Sequence, residues 1–218
     1  MLSSASWDAA LGAVGAVLAA VSHAHATGGA AFAAIRPPGH HALMAHAMGF
    51  CLLANVVIAA RHAQALGRSR VLIIDWDVHH GNGTQALMET DPSTRFVSMH
   101  EWPAYPGTGL ESERGVGHVF NVPRPAGLPA ARYVDDLRGA VHRATDEWSP
   151  DLILVSAGYD SMAGDPLGGF TLEPEHYAEL VQAIRARAPT APIAVALEGG
   201  YAPARVADGA MATLKALQ

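Results

Sequence analysis

The sequence has 218 residues, a length that favours one compact domain covering residues 1–218, and half of these residues are hydrophobic. Only 16% are charged, so the composition excludes a disordered chain and allows a sizeable core. The formal net charge of −6, without a basic run, argues against binding nucleic acid through its phosphates. Cys51 is the single cysteine, which excludes an internal disulfide and fits a reducing, cytoplasmic compartment.

An apolar run at residues 11–21 could belong to a signal peptide. It is preceded by Trp7 and Asp8 rather than by a basic segment, and it is too short to span a bilayer. We therefore expect a buried helix here and no membrane partner.

Short aliphatic runs alternate with longer helical stretches along the chain. The predicted strands are residues 30–35, 71–74, 96–100, 152–157 and 193–198, and the predicted helices are residues 6–21, 43–66, 131–148, 174–188 and 204–217. This alternation predicts an α/β fold with a mostly parallel sheet. Residues 101–129 are rich in Gly and Pro, and we predict one long functional loop there.

Polar clusters follow four of these strands where each strand ends. They are residues 36–41 (RPPGHH), 75–83 (DWDVHHGNG), 156–166 (SAGYDSMAGDP) and 198–201 (EGGY). Ligands bind at the carboxyl ends of the strands in parallel sheets, so we expect these groups to share one pocket.

The second cluster contains candidate metal ligands. Asp75, Asp77 and His79 recur at every second position, which places them on one face if the strand continues that far. Asp and His bind zinc, and a catalytic zinc takes three protein ligands and leaves a position open. We select Asp165, in a Gly-Asp-Pro turn after another strand, as the third ligand. Alone, these acids could equally be turn residues, but the other clusters favour a site for zinc or iron.

Two further motifs offer acid–base and oxyanion chemistry. His40 and His41 follow two prolines and a glycine, and histidine can take and give a proton near neutral pH. We expect Asp75 to orient one ring and Asn82 the other. Tyr201 follows two glycines, and its hydroxyl could donate to a developing oxyanion, although tyrosines more often simply pack at a strand end.

Six motifs occur in a fixed order along nearly the whole chain. They begin at Arg36 (RPPGHHA), Gly49 (GFC), Asp75 (DWDVHHGNGTQ), Tyr105 (YPGTG), Ala163 (AGDP) and Glu198 (EGGY). Together they resemble the zinc-dependent histone deacetylase family, which includes bacterial acetoin-utilisation proteins and acetylpolyamine amidohydrolases. The resemblance implies an arginase-like, three-layer α/β fold. It also implies hydrolysis of an acetyl or small acyl amide on lysine, a polyamine or another small amine.

The resemblance further implies a role for each of several side chains. The implied zinc ligands are Asp77, His79 and Asp165. His41 is implied as the general base and acid, and His40 with Asp75 as an electrostatic pair. Tyr201 is implied as the oxyanion donor. The implied substrate tunnel has Gly49, Phe50 and Tyr105 in its walls and Leu172 near its rim. The implied site of a structural K⁺, bound largely by backbone carbonyls behind a single Zn²⁺, comprises Asp75, Asp77, His79, Ser98 and Met99.

Three features qualify the resemblance. Asn82 stands where many members of the family have Asp, so His41 would have a neutral partner. Tyr201 is present where weakly active members have His. Family members are usually much longer, so we expect this chain to lack the N-terminal part of the fold.

Two other functions remain open on the sequence. A shortened chain could be a catalytically incompetent homologue that binds acyl-lysine or is a structural remnant. A binuclear manganese ureohydrolase shares the sheet architecture, but it needs a second Asp where Gly81 stands, and we do not favour it.

Overall fold

The computed structural model describes residues 3–218, in which helices alternate with strands. In chain order the elements are α1 (Ser6–Thr27), β1 (Ala30–Ala33), α2 (Asn55–Ala65), β2 (Val71–Asp75), α3 (Asn82–Met88), β3 (Thr94–Glu101), β4 (Val119–Arg124), α4 (Ala130–Thr145), β5 (Leu152–Ala157), α5 (Pro174–Arg187), β6 (Ile193–Leu197) and α6 (Pro203–Leu217).

The six strands form one sheet in the order β1-β6-β5-β2-β3-β4, and every neighbouring pair is parallel. One face packs against α4, α5 and α6, and the other packs against α1 and α2. Every residue of the central strands β2 and β5 is buried, which explains their continuous aliphatic sequence. These three layers confirm the predicted α/β class. The carboxyl ends of all six strands meet at one edge of the sheet.

Helix α1 is longer than predicted, since it continues to Thr27. By length and apolarity alone it is the one described helix that could cross a membrane. In this structure it packs against α2, β1 and β6, with Ala13, Val17 and Val21 in the core. The prediction of a buried helix is therefore correct for one face only, because the opposite face exposes Trp7 and Leu11.

Two local predictions were wrong, and one short helix was missed. The helix predicted at residues 43–66 begins only at Asn55, because Gly49 and Phe50 have φ angles of 53° and 63° that no right-handed helix accommodates. The loop predicted at residues 101–129 contains β4, which pairs with β3. Helix α3 escaped prediction because seven residues are too few to show a helical period.

Candidate active site

Four strand ends bring the predicted polar clusters together at the carboxyl edge of the sheet, where they surround a cavity. Its volume is about 480 Å³, within the range typical of small-molecule sites. The lining residues are His41, Gly49, Phe50, His79, Ala104, Tyr105, Leu167 and Tyr201. The cavity therefore combines apolar walls with two imidazoles and two phenols.

A carboxylate–imidazole cluster adjoins this cavity. Asp77, His79 and Asp160 each offer a ligand atom within 4.8 Å of the other two. Nδ1 of His79 lies 3.0 Å from Oδ1 of Asp77 and 3.3 Å from Oδ2 of Asp160. Both carboxylates are fully buried, and within the described part of the chain Oδ2 of Asp160 has no hydrogen-bond partner. A buried carboxylate oxygen without a donor, beside an imidazole nitrogen, fits a divalent cation such as zinc.

Main-chain N–H groups hold the other oxygens of these carboxylates. Gly199 N–H donates to Oδ2 of Asp77 at 2.8 Å, and Val78 N–H donates to Oδ1 of Asp160 at 2.9 Å. Gly158 passes so close to Asp77 that a Cβ at this position would overlap the carboxylate. The cluster is therefore fixed by the backbone.

The charges of the cluster are coupled. Burial and the Asp77 carboxylate raise the pKa of Asp160 to about 7. Burial opposes the charged form of His79, but the carboxylates of Asp160 and Asp77 raise its pKa to about 10. In the absence of a cation, His79 thus supplies the positive charge that the two acids require.

Asp165 is not part of this three-residue cluster, and its role as the third ligand stays a prediction. Its Oδ2 accepts a hydrogen bond from the Tyr201 N–H at 2.7 Å, and its Oδ1 accepts one from the Leu167 N–H at 2.9 Å. Asp160 reaches the cluster because it follows the end of β5 more closely, whereas Asp165 lies in the next turn. Asp165 fixes the main chain of Tyr201.

The condition for alternation along β2, that the strand continues to residue 79, is not met. The strand ends at Asp75, so Asp75, Asp77 and His79 do not share a strand face. Asp77 and His79 meet through the turn that follows the strand. The Asp75 carboxylate contacts His40 instead.

The adjacent histidines have different partners. Nδ1 of His40 lies 2.9 Å from Oδ2 of Asp75, and Nε2 lies 3.8 Å from Asp77. Burial opposes the charge of His40, but the carboxylates of Asp77 and Asp75 raise its pKa well above the ordinary value. Nδ1 of His41 lies 2.7 Å from Oδ1 of Asn82. Burial and the charge of His40 lower the pKa of His41 to about 3, so His41 is neutral and able to accept a proton.

Aromatic side chains form the mouth of the cavity. Phe50 and Tyr105 are 68% and 47% exposed. The Tyr105 ring lies edge-on to His41 at 5.1 Å between centroids, and the Phe50 ring lies 6.1 Å from that of Tyr201. Burial and the Asp77 carboxylate raise the pKa of Tyr201, so its hydroxyl keeps the proton that it could donate.

Leu172 is not near the rim, so that prediction was wrong. It is fully buried, forms a β-bridge with Met162 and packs in the core between the sheet and α5. Leu167, which lies earlier in the same loop, lines the cavity instead and is 52% exposed.

Two residues of the predicted K⁺ site lie on β3. Ser98 pairs in register with Asp75 of β2, and Met99 follows it, both fully buried. The Ser98 hydroxyl lies 3.0 Å from Nδ1 of His100. A monovalent cation beside this pair of strands stays a prediction.

Two acidic contributors to the site had been given no role from the sequence. Asp160 is one, and the close packing of Gly158 against Asp77 explains why a glycine precedes it. Glu198 is the other, a buried carboxylate whose pKa burial raises to about 7. An acidic residue directly after the aliphatic strand β6 was the available signal.

Known proteins share both the sequence and this arrangement. Residues 1–217 match the family profile described as the histone deacetylase domain. An uncharacterised protein from Synechocystis is 43% identical over 214 residues, which cover 97% of this chain and 70% of that protein.

Two solved structures match across 94% of this chain. They are the HDA15 HD domain, with a TM-score of 0.89 and 38% identity, and an acetylpolyamine aminohydrolase from Burkholderia pseudomallei, with a TM-score of 0.87 and 30% identity. The match covers 62% and 61% of those chains, so this chain spans about three fifths of their length.

Proposed function

The chain belongs to the histone deacetylase family and has its arginase-like fold, and on that premise we propose that it is a zinc-dependent amidohydrolase. It removes an acetyl or other small acyl group from the side chain of an acyl-lysine or from an acylated polyamine. The acetylpolyamine aminohydrolase among its structural neighbours supports this substrate class. The observation that carries the proposal is the Asp77–His79–Asp160 cluster beside the cavity that His41 and Tyr201 line.

The proposed metal ligands are one imidazole and two carboxylates, which suit zinc and also iron. When bound, such a cation supplies Lewis-acid polarisation of the acyl carbonyl and of the attacking water. Three protein ligands leave room for both of these groups. The unpartnered Oδ2 of Asp160 supports this assignment.

His41 performs the proton transfers. Nδ1–H of His41 donates a hydrogen bond to Oδ1 of Asn82 at 2.7 Å, which leaves Nε2 without a proton and free to accept one. Nε2 takes a proton from the attacking water and then gives it to the departing amine. His40 stays charged beside Asp75 and contributes positive potential next to the reacting groups.

Tyr201 stabilises the charge that develops on the acyl oxygen. Its raised pKa keeps the hydroxyl protonated, and a donor fixed in a partly buried site stabilises an oxyanion better than water does. Asp165 holds the main chain of Tyr201 and so orients this donor.

The walls of the cavity select an extended, apolar chain. Phe50, Tyr105 and Leu167 line it, and no Asp, Glu, Lys or Arg occurs among the lining residues that the structure describes. The methylene groups of a lysine or polyamine therefore pack between aromatic rings, while the rest of the substrate stays outside.

The test is to purify the chain, measure bound metal, and follow hydrolysis of an acetyl-lysine peptide and of an N-acetylated polyamine. We expect about one zinc per chain and turnover of at least one substrate, which a chelator removes and added zinc restores. A folded, metal-loaded chain that hydrolyses neither would refute the proposal and favour an acyl-lysine-binding homologue.

A further inference from the structure

The short segment after β6, residues 198–201, connects the loop that carries His40 and His41 to Tyr201, the proposed oxyanion donor. Its last residue is Tyr201, and its Gly199 N–H binds the Asp77 carboxylate at 2.8 Å. Glu198 begins the segment and has no part in the chemistry above. Its side chain is 3% exposed and does not line the cavity.

The Glu198 carboxylate binds the main chain of the loop that carries the two histidines. Oε2 accepts hydrogen bonds from the N–H of Gly39 at 2.7 Å and from the N–H of His40 at 3.2 Å. Oε1 accepts one from the Ser156 hydroxyl of β5 at 3.1 Å. These donors compensate a carboxylate that has no Lys or Arg partner within the described chain.

Helix α3 holds the same loop from the other side. The carbonyl of His40 accepts N–H groups of Gly83 and Thr84 at 3.0 and 3.1 Å. Gly39 packs so closely against the start of α2 that an added Cβ would lie 2.6 Å from Asn55 N. The main chain of His40 is therefore fixed through its carbonyl by α3 and through its N–H by Glu198.

The location of His41 depends on these hydrogen bonds to the main chain of His40. Within residues 3–218 its own N–H contacts only the sulfur of Cys51, at 3.4 Å, which is a weak hydrogen bond. Asn82 orients the ring through Nδ1 but does not hold the main chain. A shift at His40 would therefore carry His41 with it.

We propose that Glu198 is a positioning residue, which sets the location of His41 relative to Tyr201 by tying the histidine loop to the strand end that carries the tyrosine. The inference rests on the proposed function of this site. It adds a residue that acts through the main chain and touches neither the substrate nor the metal.

Three variants test the assignment. Glu198→Gln keeps the shape of the side chain but replaces one acceptor oxygen with an NH₂ group. Ser156→Ala removes the hydroxyl that supports Glu198 and leaves both loop contacts in place. Asp151→Asn is the matched control, because Asp151 also accepts a main-chain N–H (Arg70, 2.9 Å) and a serine hydroxyl (Ser69, 3.1 Å), but at the opposite end of the sheet.

We expect Glu198→Gln to lower kcat about 10- to 100-fold while KM and metal content stay close to the wild-type values, because displacement of the base misaligns proton transfer and leaves the tunnel intact. Ser156→Ala should lower kcat by about threefold, and Asp151→Asn should leave it unchanged. A purely structural role for Glu198 would instead lower metal content, active fraction and kcat together.

Amide hydrogen exchange at Gly39 and His40 gives a readout that needs no activity. It should accelerate in Glu198→Gln by about tenfold or more, and it should not change in Asp151→Asn.

If the wild-type chain hydrolyses no acyl-amine, the proposed function fails, while exchange still decides whether Glu198 holds the loop. If Glu198→Gln does not fold, Ser156→Ala decides. Wild-type kcat and exchange in the folded variants would overturn the inference, as would a loss of kcat in Asp151→Asn of the same size.

Discussion

The two ends of the parallel sheet use acidic residues in opposite ways. At the amino end, Asp151 before β5 pairs with Arg70 at 2.7 Å near solvent. At the carboxyl end, Asp77 and Asp160 are fully buried and are bound by imidazole and main-chain N–H groups, with no arginine or lysine partner in residues 3–218. One end satisfies its charges within the chain, whereas the other leaves a carboxylate oxygen for a ligand to satisfy.

The largest effect should come from Asp160. Asp160→Asn removes a proposed metal ligand, so we expect loss of bound metal and a fall in kcat/KM of at least about 1,000-fold. Asp165→Asn tests the ligand that the sequence predicts. In residues 3–218 Asp165 accepts hydrogen bonds from the main-chain N–H groups of Tyr201 and Leu167, so this variant should keep the metal if Asp160 is the third ligand. Metal analysis after dialysis distinguishes the two. Loss of metal from Asp165→Asn alone would show that the ligand assignment is wrong.

A smaller loss should follow removal of the oxyanion donor. Tyr201→Phe keeps the ring that packs near Phe50 and removes only the hydroxyl. We expect kcat to fall about 100- to 1,000-fold while metal content and KM change little. Steady-state kinetics on an acetyl-lysine peptide measures this, and an unchanged kcat would exclude the proposed role of the hydroxyl.

A substitution at the mouth of the cavity should weaken substrate binding more than it slows the chemical step. Phe50→Ala removes an exposed aromatic wall, and we expect KM to rise about tenfold with kcat within about threefold of wild type. Leu110→Ala provides the comparison, because Leu110 is 45% exposed but does not line the cavity. Equal changes in both variants would show that the effect is not specific to the tunnel.

A substitution at the amino end of the sheet should change the stability of the fold rather than the activity. Burial opposes the charge of Asp91, but the hydroxyl and N–H of Ser93 and the Arg61 guanidinium lower its pKa to about 2. A carboxyl group with a lowered pKa stabilises the fold above about pH 4 and loses this contribution as the pH falls toward about 2. Asp91→Asn should therefore lower the free energy of unfolding by about 1 kcal/mol at pH 7.

The loss in Asp91→Asn should nearly vanish at pH 2, and kcat at pH 7 should equal that of the wild type. Denaturant unfolding at the two pH values measures the difference. An equal loss at both would mean that the hydrogen-bond geometry, and not the charge of Asp91, stabilises this end of the sheet.

The sequence predicts the strands that are apolar throughout, such as β2 and β5, because both of their faces are buried. It does not predict β4, in which Asn121 and Pro123 interrupt the apolar run, as expected for a strand at the edge of a sheet. The helix-like residues before Asn55 form a loop because they pass over the site, and local spacing does not report such tertiary contacts.

The candidate site shows the same limit. Sequence motifs predict which segments meet, because the carboxyl ends of parallel strands share an edge. They favour Asp165 as the third ligand, whereas the structure brings the Asp160 carboxylate close to Asp77 and His79. The backbone path accounts for this difference, because Gly158 passes against Asp77 and leads Asp160 to His79.

The left-handed backbone at Phe50 has a consequence for engineering this protein. With φ at 63°, position 50 holds a large aromatic side chain in a conformation that favours Gly or Asn. Selection for heat resistance alone would therefore favour replacement of the phenylalanine, whereas selection on turnover would retain it. The two goals conflict at this residue, so a thermostabilised variant should be sought by substitutions elsewhere.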